Sequence, residues 1–493
     1  MNEAIRKLEP TALWNYFADL NAVPRPSKKE ERVIQFMKDF GTDLGLETME
    51  DEVGNVIIRK PATAGMEDRM SLVLQSHLDM VHQKNSDTEF DFNTQGIEMY
   101  IDGDWVRANG TTLGADNGLG VATIMSILSS ENISHPTIEA LFTIDEETGM
   151  TGAMGLKGGI LKGDILLNLD TEEDDEIGVG CAGGIDVTAT GIYNEVNPST
   201  DAQAYTITVK GLQGGHSGMD ISKGFGNANK LMNRLLAANQ DILAIVEISG
   251  GSLRNAIPRE SVATVVVTTK NISAFVSKME ATQFDIIEEF KLLEPDLSIS
   301  TEKTELPNKV MRAKDQSIFV NAIYGAHNGV FRMSPAVEDL VETSNNIARI
   351  TVKDGSIKIE CLTRSSVESS KNDMANSLKA VFELAGYQVT LSGSYPGWAP
   401  NMASPILKVL DSLYEKMNGK KAKVAACHAG LECGILGQNY PEMDMISFGP
   451  TIKGAHSPDE RASISSTQKY WAFVLEILKN IPKKNNNVIK ISI

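Results

Sequence analysis

Between residues 71 and 144 the chain reads SLVLQS (71–76), GLGVATIMSIL (118–128) and IEALFTI (138–144). The first and last are short apolar runs closed by turn or acidic residues, as buried strands are, and the middle one carries apolar residues at helical spacing. Strand, helix, strand is the rhythm of a largely parallel sheet covered by helices. ILLNL (165–169) extends it, and so does MDMISF (443–448) far along the chain. Upstream, Ser27 with Glu30 three residues on forms a capping-box signal for a helix running to about residue 44.

The rhythm breaks near residue 188 at the polar connection GIYNEVNPSTDAQ and resumes near SYPGWAPNMASP (394–405), rich in Pro and Gly. Three pieces follow: residues 1–187 and 400–493 as one discontinuous domain, and 188–399 as an insertion. Within the insertion, AYTITV (204–209), a helix over 225–239, ILAIVEI (242–248), SVATVVVTT (261–269), a helix over 272–291 and LSIST (297–301) give the order of a ferredoxin-like unit. A looser second copy is expected from a helix near 315–325, a hairpin turning at Asp354-Gly355, a helix near 368–385 and QVTLS (388–392). The fold class is therefore α/β: a discontinuous domain with a helix-covered mixed sheet, carrying an α+β lid of two ferredoxin-like units.

The 493 residues hold 46 Lys+Arg against 65 Asp+Glu, a net charge of −19. Such a surface repels phosphate backbones and anionic headgroups, which argues against nucleic-acid and membrane partners. The N-terminus MNEAIRKLEPTALWNYF lacks the apolar core of a signal peptide, and no run approaches the roughly 18 residues of a membrane span. The chain reads as cytoplasmic. Four cysteines, Cys181, Cys361, Cys427 and Cys433, are too few for a disulfide scaffold, and none are spaced CxxC.

Five short stretches each put a metal-competent side chain just past an expected strand or at a helix start: Ser76-His77-Leu78-Asp79, Gly114-Ala115-Asp116-Asn117-Gly118, Asp145-Glu146-Glu147-Thr148-Gly149, Asn168-Leu169-Asp170 and Gly454-Ala455-His456-Ser457. In open α/β sheets the carboxyl ends of the strands form the ligand crevice, so all five can meet in one pocket. Taken singly, each has an ordinary explanation. His77 can be a core histidine, Asp116 a helix cap, and Asp145, Glu146 and Glu147 acids favoured near a helix N-terminus. Asp170 can open a solvated acidic loop, and His456 can be a loop residue. The coincidence of position is what lifts the set.

The set also balances as inorganic chemistry. Two Zn²⁺ ions, three carboxylates (Asp116, Glu147, Asp170) and a bridging hydroxide are neutral together, with His77 and His456 completing the ligands. Glu146 is left over as a base that can deprotonate the water and return the proton to a leaving amine. Asp79 can hold the far nitrogen of His77, as carboxylates behind metal-bound histidines do.

HLDM, GADNG, DEETG, NLD and GAHSPDE, in this order and at these intervals, resemble the di-zinc metallopeptidase family of carnosinases, peptidase T, aminoacylases and glutamate-type carboxypeptidases. The resemblance covers essentially the whole chain, and it is the combination of motifs that is specific. It implies that His77, Asp116 and Asp170 bind one zinc and Glu147, Asp116 and His456 the other, with Glu146 as general base and Asp79 as partner of His77. It also implies a cis bond between Asp116 and Asn117.

In the insertion, Gly214-Gly215-His216-Ser217-Gly218 resembles the stretch whose histidine reaches the substrate's carbonyl oxygen and stabilises the developing oxyanion. Read by itself it is a Gly-rich turn before a helix. Asn255 in LRNAIP and Arg364 in LTRSS resemble groups that hold substrate, Arg364 being suited to a terminal carboxylate. Their ordinary reading is a surface amide and a hairpin-end cation. Cys427-His428-Ala429-Gly430-Leu431-Glu432-Cys433-Gly434 is typical of the family's dipeptidase subgroup, and Glu432 is the candidate anion for a substrate ammonium. Gly178-Val179-Gly180-Cys181-Ala182-Gly183 matches GxGxxG, but it follows an acidic run and leads into a strand, so no helix N-terminus is there for a phosphate.

The resulting expectation is a zinc-dependent dipeptidase whose substrates include Xaa-His dipeptides such as β-alanyl-histidine, hydrolysed by a metal-bridging hydroxide that Glu146 activates. The lid would close over the substrate. Co²⁺ and Mn²⁺ suit similar ligands and are alternative metals. The rivals are an aminoacylase or deacetylase of N-acyl amino acids and a catalytically silent metal- or peptide-binding relative, against which Glu146 argues. Short-lidded relatives supply the lid histidine across a homodimer, whereas a doubled lid can supply it within one chain.

Overall fold

The computed structural model describes residues 2–484. Of the expected domain pieces, residue 1 and residues 485–493 lie outside the described residues. The chain forms two compact units. One contains the residues up to Gly180, Pro400–Ala426 and the residues from Glu432 on; the other contains Cys181–Ala399 and the short return Cys427–Leu431.

The first unit is built on an eight-stranded sheet in the order Glu47–Glu50, Val56–Lys60, Ile138–Thr143, Leu72–His77, Ile165–Asn168, Asp444–Ser447, Glu176–Cys181, Lys423–Cys427. Its centre is parallel: Leu72–His77 pairs in parallel with Ile138–Thr143 and Ile165–Asn168, and Asp444–Ser447 joins Ile165–Asn168 the same way. Every residue of the strands at 72–77, 138–143 and 165–168 is buried. Burial on both faces is why these segments read as unbroken apolar runs.

Helix Ala115–Ser129 follows the same logic. Its residues from Asn117 to Leu128 are all buried, so it is apolar all round instead of striped. Asp116 and Asn117 have non-helical dihedrals and are joined by a cis peptide bond, so the regular helix starts at Gly118.

One local expectation is corrected. The helix expected after Ser27 runs Glu31–Asp43, and Ser27 does not cap it. The Ser27 hydroxyl donates to the Met80 carbonyl, and Glu30 Oε1 accepts from the Lys28 amide, 2.8 Å away. The tie to the chain just past His77 wins over the local box.

The second unit holds a sheet in the order Ser298–Thr304, Ala202–Lys210, Ser261–Thr268, Leu243–Gly250, Val341–Lys353, Ser356–Ser365, Gly183–Ile192, Gln388–Tyr395, with Gly329–Met333 pairing to Val341–Lys353. The first four strands, counted along the chain within their half, run 4-1-3-2, the ferredoxin-like order. The other four run 2-3-1-4, so the two halves join edge to edge through their second strands, Ile248 opposite Val352. The opening strand of the second half is Gly183–Ile192, which precedes the whole first half in sequence; the first ferredoxin-like unit is an insertion within the second. Asp354 and Gly355 both have positive φ and form the two-residue turn of the expected hairpin, Lys353 facing Ser356.

The GxGxxG stretch lies in the strands Glu176–Cys181 and Gly183–Ile192. A Cβ on Gly183 would sit 2.4 Å from the Gly397 amide nitrogen, so close backbone packing accounts for that glycine. Among the described residues no cysteine is joined in a disulfide. Among the described residues no helix is long and apolar enough to cross a membrane.

Candidate metal centre

In the first unit the carboxyl ends of the three central parallel strands lie side by side. His77 ends one, Glu146 and Glu147 follow the second by three and four residues, and Asp170 follows the third by two. Asp116 sits at the start of the buried helix, and His456 follows the short strand Ile452–Lys453 with a positive φ of 64°.

The structure brings these side chains together. His77 Nε2 is 3.3 Å from Asp116 Oδ1 and 3.6 Å from Asp170 Oδ1. His456 Nε2 is 3.2 Å from Asp116 Oδ2 and 3.0 Å from Glu147 Oε2. Asp116 thus divides its two oxygens between two trios, His77–Asp116–Asp170 and Asp116–Glu147–His456, each with donor atoms within 4.8 Å of one another. Asn117, next to the cis bond, steadies the first trio by donating to Asp170 Oδ1 at 2.5 Å and to the Leu169 carbonyl at 2.6 Å.

The donor set fits divalent cations. Imidazole nitrogens and carboxylate oxygens suit zinc and its neighbours, and Glu147 Oε1 is buried with no hydrogen-bond partner. The electrostatics call for positive charge. Burial lowers the His77 imidazole, but Asp170, Asp116 and Asp79 outweigh it and hold it well above the usual histidine range. Hydrogen bonds to Asp116 and Glu147 push His456 up to about 11. Burial pushes Asp170 up to about 6. Carboxylates that raise both imidazoles in this way make an excess of negative charge that cations would meet through the same lone pairs.

Asp79 lies behind His77, fully buried. Its Oδ1 accepts from the Glu146 amide at 3.0 Å and its Oδ2 from the Glu147 amide at 3.3 Å. The His77 Nδ1 has two acceptors on this one residue, the carboxylate at 3.3 Å and the backbone carbonyl at 3.1 Å. That fixes the Nδ1–H tautomer and leaves Nε2 to face Asp116 and Asp170. Burial, then Asp170, Glu147 and Glu432, raise Glu146 well above the ordinary carboxyl range against the pull of His77.

Glu432 opens the helix Glu432–Asn439 and is completely buried. Its Oε2 accepts from Gln75 Nε2 at 2.5 Å and from the Thr143 hydroxyl at 2.6 Å, while Oε1 has no partner. Burial pushes its carboxyl up to about 8. Gln75 was not singled out from sequence, yet it links Glu432 to Asn168 and, through Asn168, to Ser447 across the strand ends. A polar residue inside the apolar run SLVLQS was the available signal.

In the second unit His216, Asn255 and Arg364 come together. The His216 Nδ1 accepts from the amides of Gly218 and Met219 at 3.2 and 3.1 Å, so the neutral ring carries its proton on Nε2. That Nε2 lies 3.3 Å from an Arg364 guanidinium nitrogen. Arg364 donates to the Ser217 hydroxyl and, at 2.8 Å, to the Tyr395 hydroxyl. The Asn255 carbonyl accepts from the Ser217 amide, and its side chain is exposed. Tyr395 had no motif to mark it; a Cβ on Gly184 would sit 2.7 Å from its hydroxyl, so that glycine makes its room.

Comparison with known proteins gives the family. The family described as Peptidase family M20/M25/M40 matches residues 73–480. The cytosol non-specific dipeptidase of Escherichia coli is 42% identical over 97% of this chain and 99% of its own. The crystal structure of aminoacylhistidine dipeptidase from Vibrio alginolyticus superposes with a TM-score of 0.91 at 45% identity, covering 98% of this chain and 100% of that one. Aminopeptidase PepT from Bacillus cereus, at 17% identity and a TM-score of 0.56 over 96% of this chain and 99% of its own, shares the fold.

Proposed function

Because the chain belongs to peptidase family M20/M25/M40, whose metallopeptidases hydrolyse peptide bonds, we propose that it is a two-zinc dipeptidase acting on unblocked dipeptides, Xaa-His substrates such as β-alanyl-histidine included. The observation that carries the proposal is the division of Asp116 between the two trios. His77, Asp116 and Asp170 would hold one zinc, and Glu147, Asp116 and His456 the other. Bound there, the ions would supply Lewis-acid polarisation of the scissile carbonyl and acidify a water.

The rest is work for the chain's own side chains. Glu146, outside both trios, takes the proton of the attacking water and hands it to the leaving amine. A carboxyl raised above its ordinary range suits both steps, because it holds the proton between them and stands closer to the pKa of the groups it serves. Asp79 keeps His77 in the tautomer that presents Nε2 and fixes the Glu146 and Glu147 amides. His216 as donor to the substrate carbonyl oxygen, Asn255 and Arg364 as its holders and Glu432 as partner of its ammonium enter the proposal on the sequence resemblance. The name of the Escherichia coli relative puts that protein in the cytosol, and the proposal takes the same compartment.

The test is hydrolysis of β-alanyl-histidine, alanyl-histidine and N-acetyl-alanine with zinc supplied, by wild type and by Glu146→Gln. Cleavage of the dipeptides alone, falling at least about 100-fold in the variant while zinc binding persists, is expected. Cleavage of the acetylated substrate instead would make the protein an aminoacylase, and zinc-bound wild type that cleaves none of the three would remove the substrate claim.

A further inference from the structure

The loops that carry His77, Asp116 and His456 come from distant parts of the chain, and two buried side chains outside both trios tie them together. Glu460 lies four residues after His456 in the same loop and is 2% exposed. Its Oε2 accepts from the amides of Leu113 and Gly114 at 2.7 and 2.9 Å, and its Oε1 from those of Ala115 and Asp116 at 2.8 and 3.2 Å. Four consecutive N–H groups, the last belonging to Asp116 itself, thus end on one carboxylate.

Arg25, 1% exposed, works from the other side. One guanidinium nitrogen donates to the carbonyls of Leu78 and Asp79 at 3.0 and 3.1 Å, in the loop just past His77. The other donates to the Gly114 carbonyl at 2.6 Å and to Asn21 Oδ1 at 3.0 Å. A Cβ on Gly114 would lie 2.6 Å from that nitrogen, and one on Gly118 2.8 Å from it. The two glycines that frame the GADNG stretch are the space the guanidinium occupies.

We propose that Glu460 and Arg25 are the positioning residues of the metal centre. Glu460 locks the Asp116 loop to the His456 loop, Arg25 locks it to the His77 loop, and together they hold the Asp116 carboxylate in the orientation that splits its oxygens between the trios. Neither touches metal or substrate. The inference rests on the metal centre proposed above and goes beyond its ligands.

Glu460→Gln keeps size and shape but replaces one acceptor oxygen with an NH₂ group, which would face two backbone N–H donors. Zinc affinity, measured by competition between the apoprotein and a chromogenic chelator, is expected to fall about 10- to 100-fold, as when partners behind metal ligands are lost. The visible spectrum of the Co²⁺-loaded variant is expected to change with the ligand geometry, and Arg25→Lys, which keeps the charge but not the fork, to weaken zinc to a lesser degree. Asp444→Asn is the control: Asp444 accepts from the Ser404 hydroxyl and the Ile406 amide at the start of helix Pro405–Asn418, so its loss costs stability without touching a ligand loop. Glu460→Gln with wild-type zinc affinity and an unchanged Co²⁺ spectrum would overturn the proposal, as would an equal loss in Asp444→Asn. If Glu460→Gln does not fold, Arg25→Lys decides by the same two readings. Wild-type protein that binds no zinc refutes the metal centre itself, a result distinct from a variant that binds as tightly as wild type.

Discussion

Asp79→Asn separates the two tasks given to one buried carboxylate. The substitution preserves volume and removes the charge facing His77 Nδ1 at 3.3 Å, but the Asp79 backbone carbonyl stays 3.1 Å from the same nitrogen. The tautomer is therefore kept. Carboxylates behind a metal-binding histidine are worth about 10- to 100-fold in affinity, and the surviving carbonyl puts this case near tenfold, about 1.4 kcal/mol. Catalysis should suffer more. With its oxygen toward the Glu146 amide, the new side chain turns its NH₂ group toward the Glu147 amide, so a hydrogen bond to a charged group, worth about 1.5–3 kcal/mol, becomes a clash of donors. The assay is chelator competition for zinc beside kcat and KM for alanyl-histidine at saturating zinc. The expected pattern is a tenfold loss of affinity and a kcat lower by about 10- to 100-fold with KM little changed. A thousandfold loss of zinc affinity would show that the carbonyl does not hold the tautomer, and wild-type values for both would remove Asp79 from the centre.

Three further outcomes follow from the geometry. A Cβ at Gly120 would meet Ser76 Oγ at 2.4 Å, Asn117 Oδ1 at 2.5 Å and the Leu169 carbonyl at 2.6 Å, so Gly120→Ala should cost about 1–3 kcal/mol in calorimetry and loosen zinc by displacing the amide that holds Asp170. Tyr395→Phe removes the acceptor of one Arg364 N–H and should raise KM for dipeptides about fivefold with kcat unchanged; an unchanged KM would speak against Arg364 as a substrate holder. Burial, then Arg364 and His216, push the His428 imidazole down to about 3. A depressed folded pKa gives stability that is complete above the unfolded value of about 6.5 and is lost as pH falls toward the folded one. Urea unfolding should therefore show wild type losing about 2 kcal/mol more than His428→Gln between pH 7 and pH 5, and parallel losses would contradict it.

The strands of the first unit were legible because burial on both faces leaves little but apolar side chains, and their carboxyl ends already located the side chains that the structure brings together. The first ferredoxin-like half was legible because all six of its elements follow one another. The second half was read only in part, since GIDVTATGI pairs with Ser356–Ser365 across more than a hundred residues and no local pattern names so distant a partner. The same limit hid the supporting residues. Glu460 sits within a quoted motif and Arg25 between two prolines, yet what they hold is backbone from other loops, and backbone carries no sequence signal. Ser27 shows the reverse error, a valid local signature overruled by a contact with Met80.

The place of Asp444–Ser447 in the first sheet also sets an order in time. This strand is not an edge: it lies between Ile165–Asn168 and Glu176–Cys181, so the sheet cannot close until it arrives. Domains emerging from the ribosome fold as units, roughly from the N-terminus onward. The first ferredoxin-like half, continuous from Ala202 to Thr304, can consolidate while the rest is still being made. The first unit must instead wait as an open sheet with a gap beside Ile165–Asn168, its His77, Asp116, Glu147 and Asp170 already synthesised and His456 still to come. On the proposed ligand set, a nascent chain would therefore offer a divalent ion an incomplete site until translation has almost finished, and the step that fills the sheet would bring in His456 nine residues later.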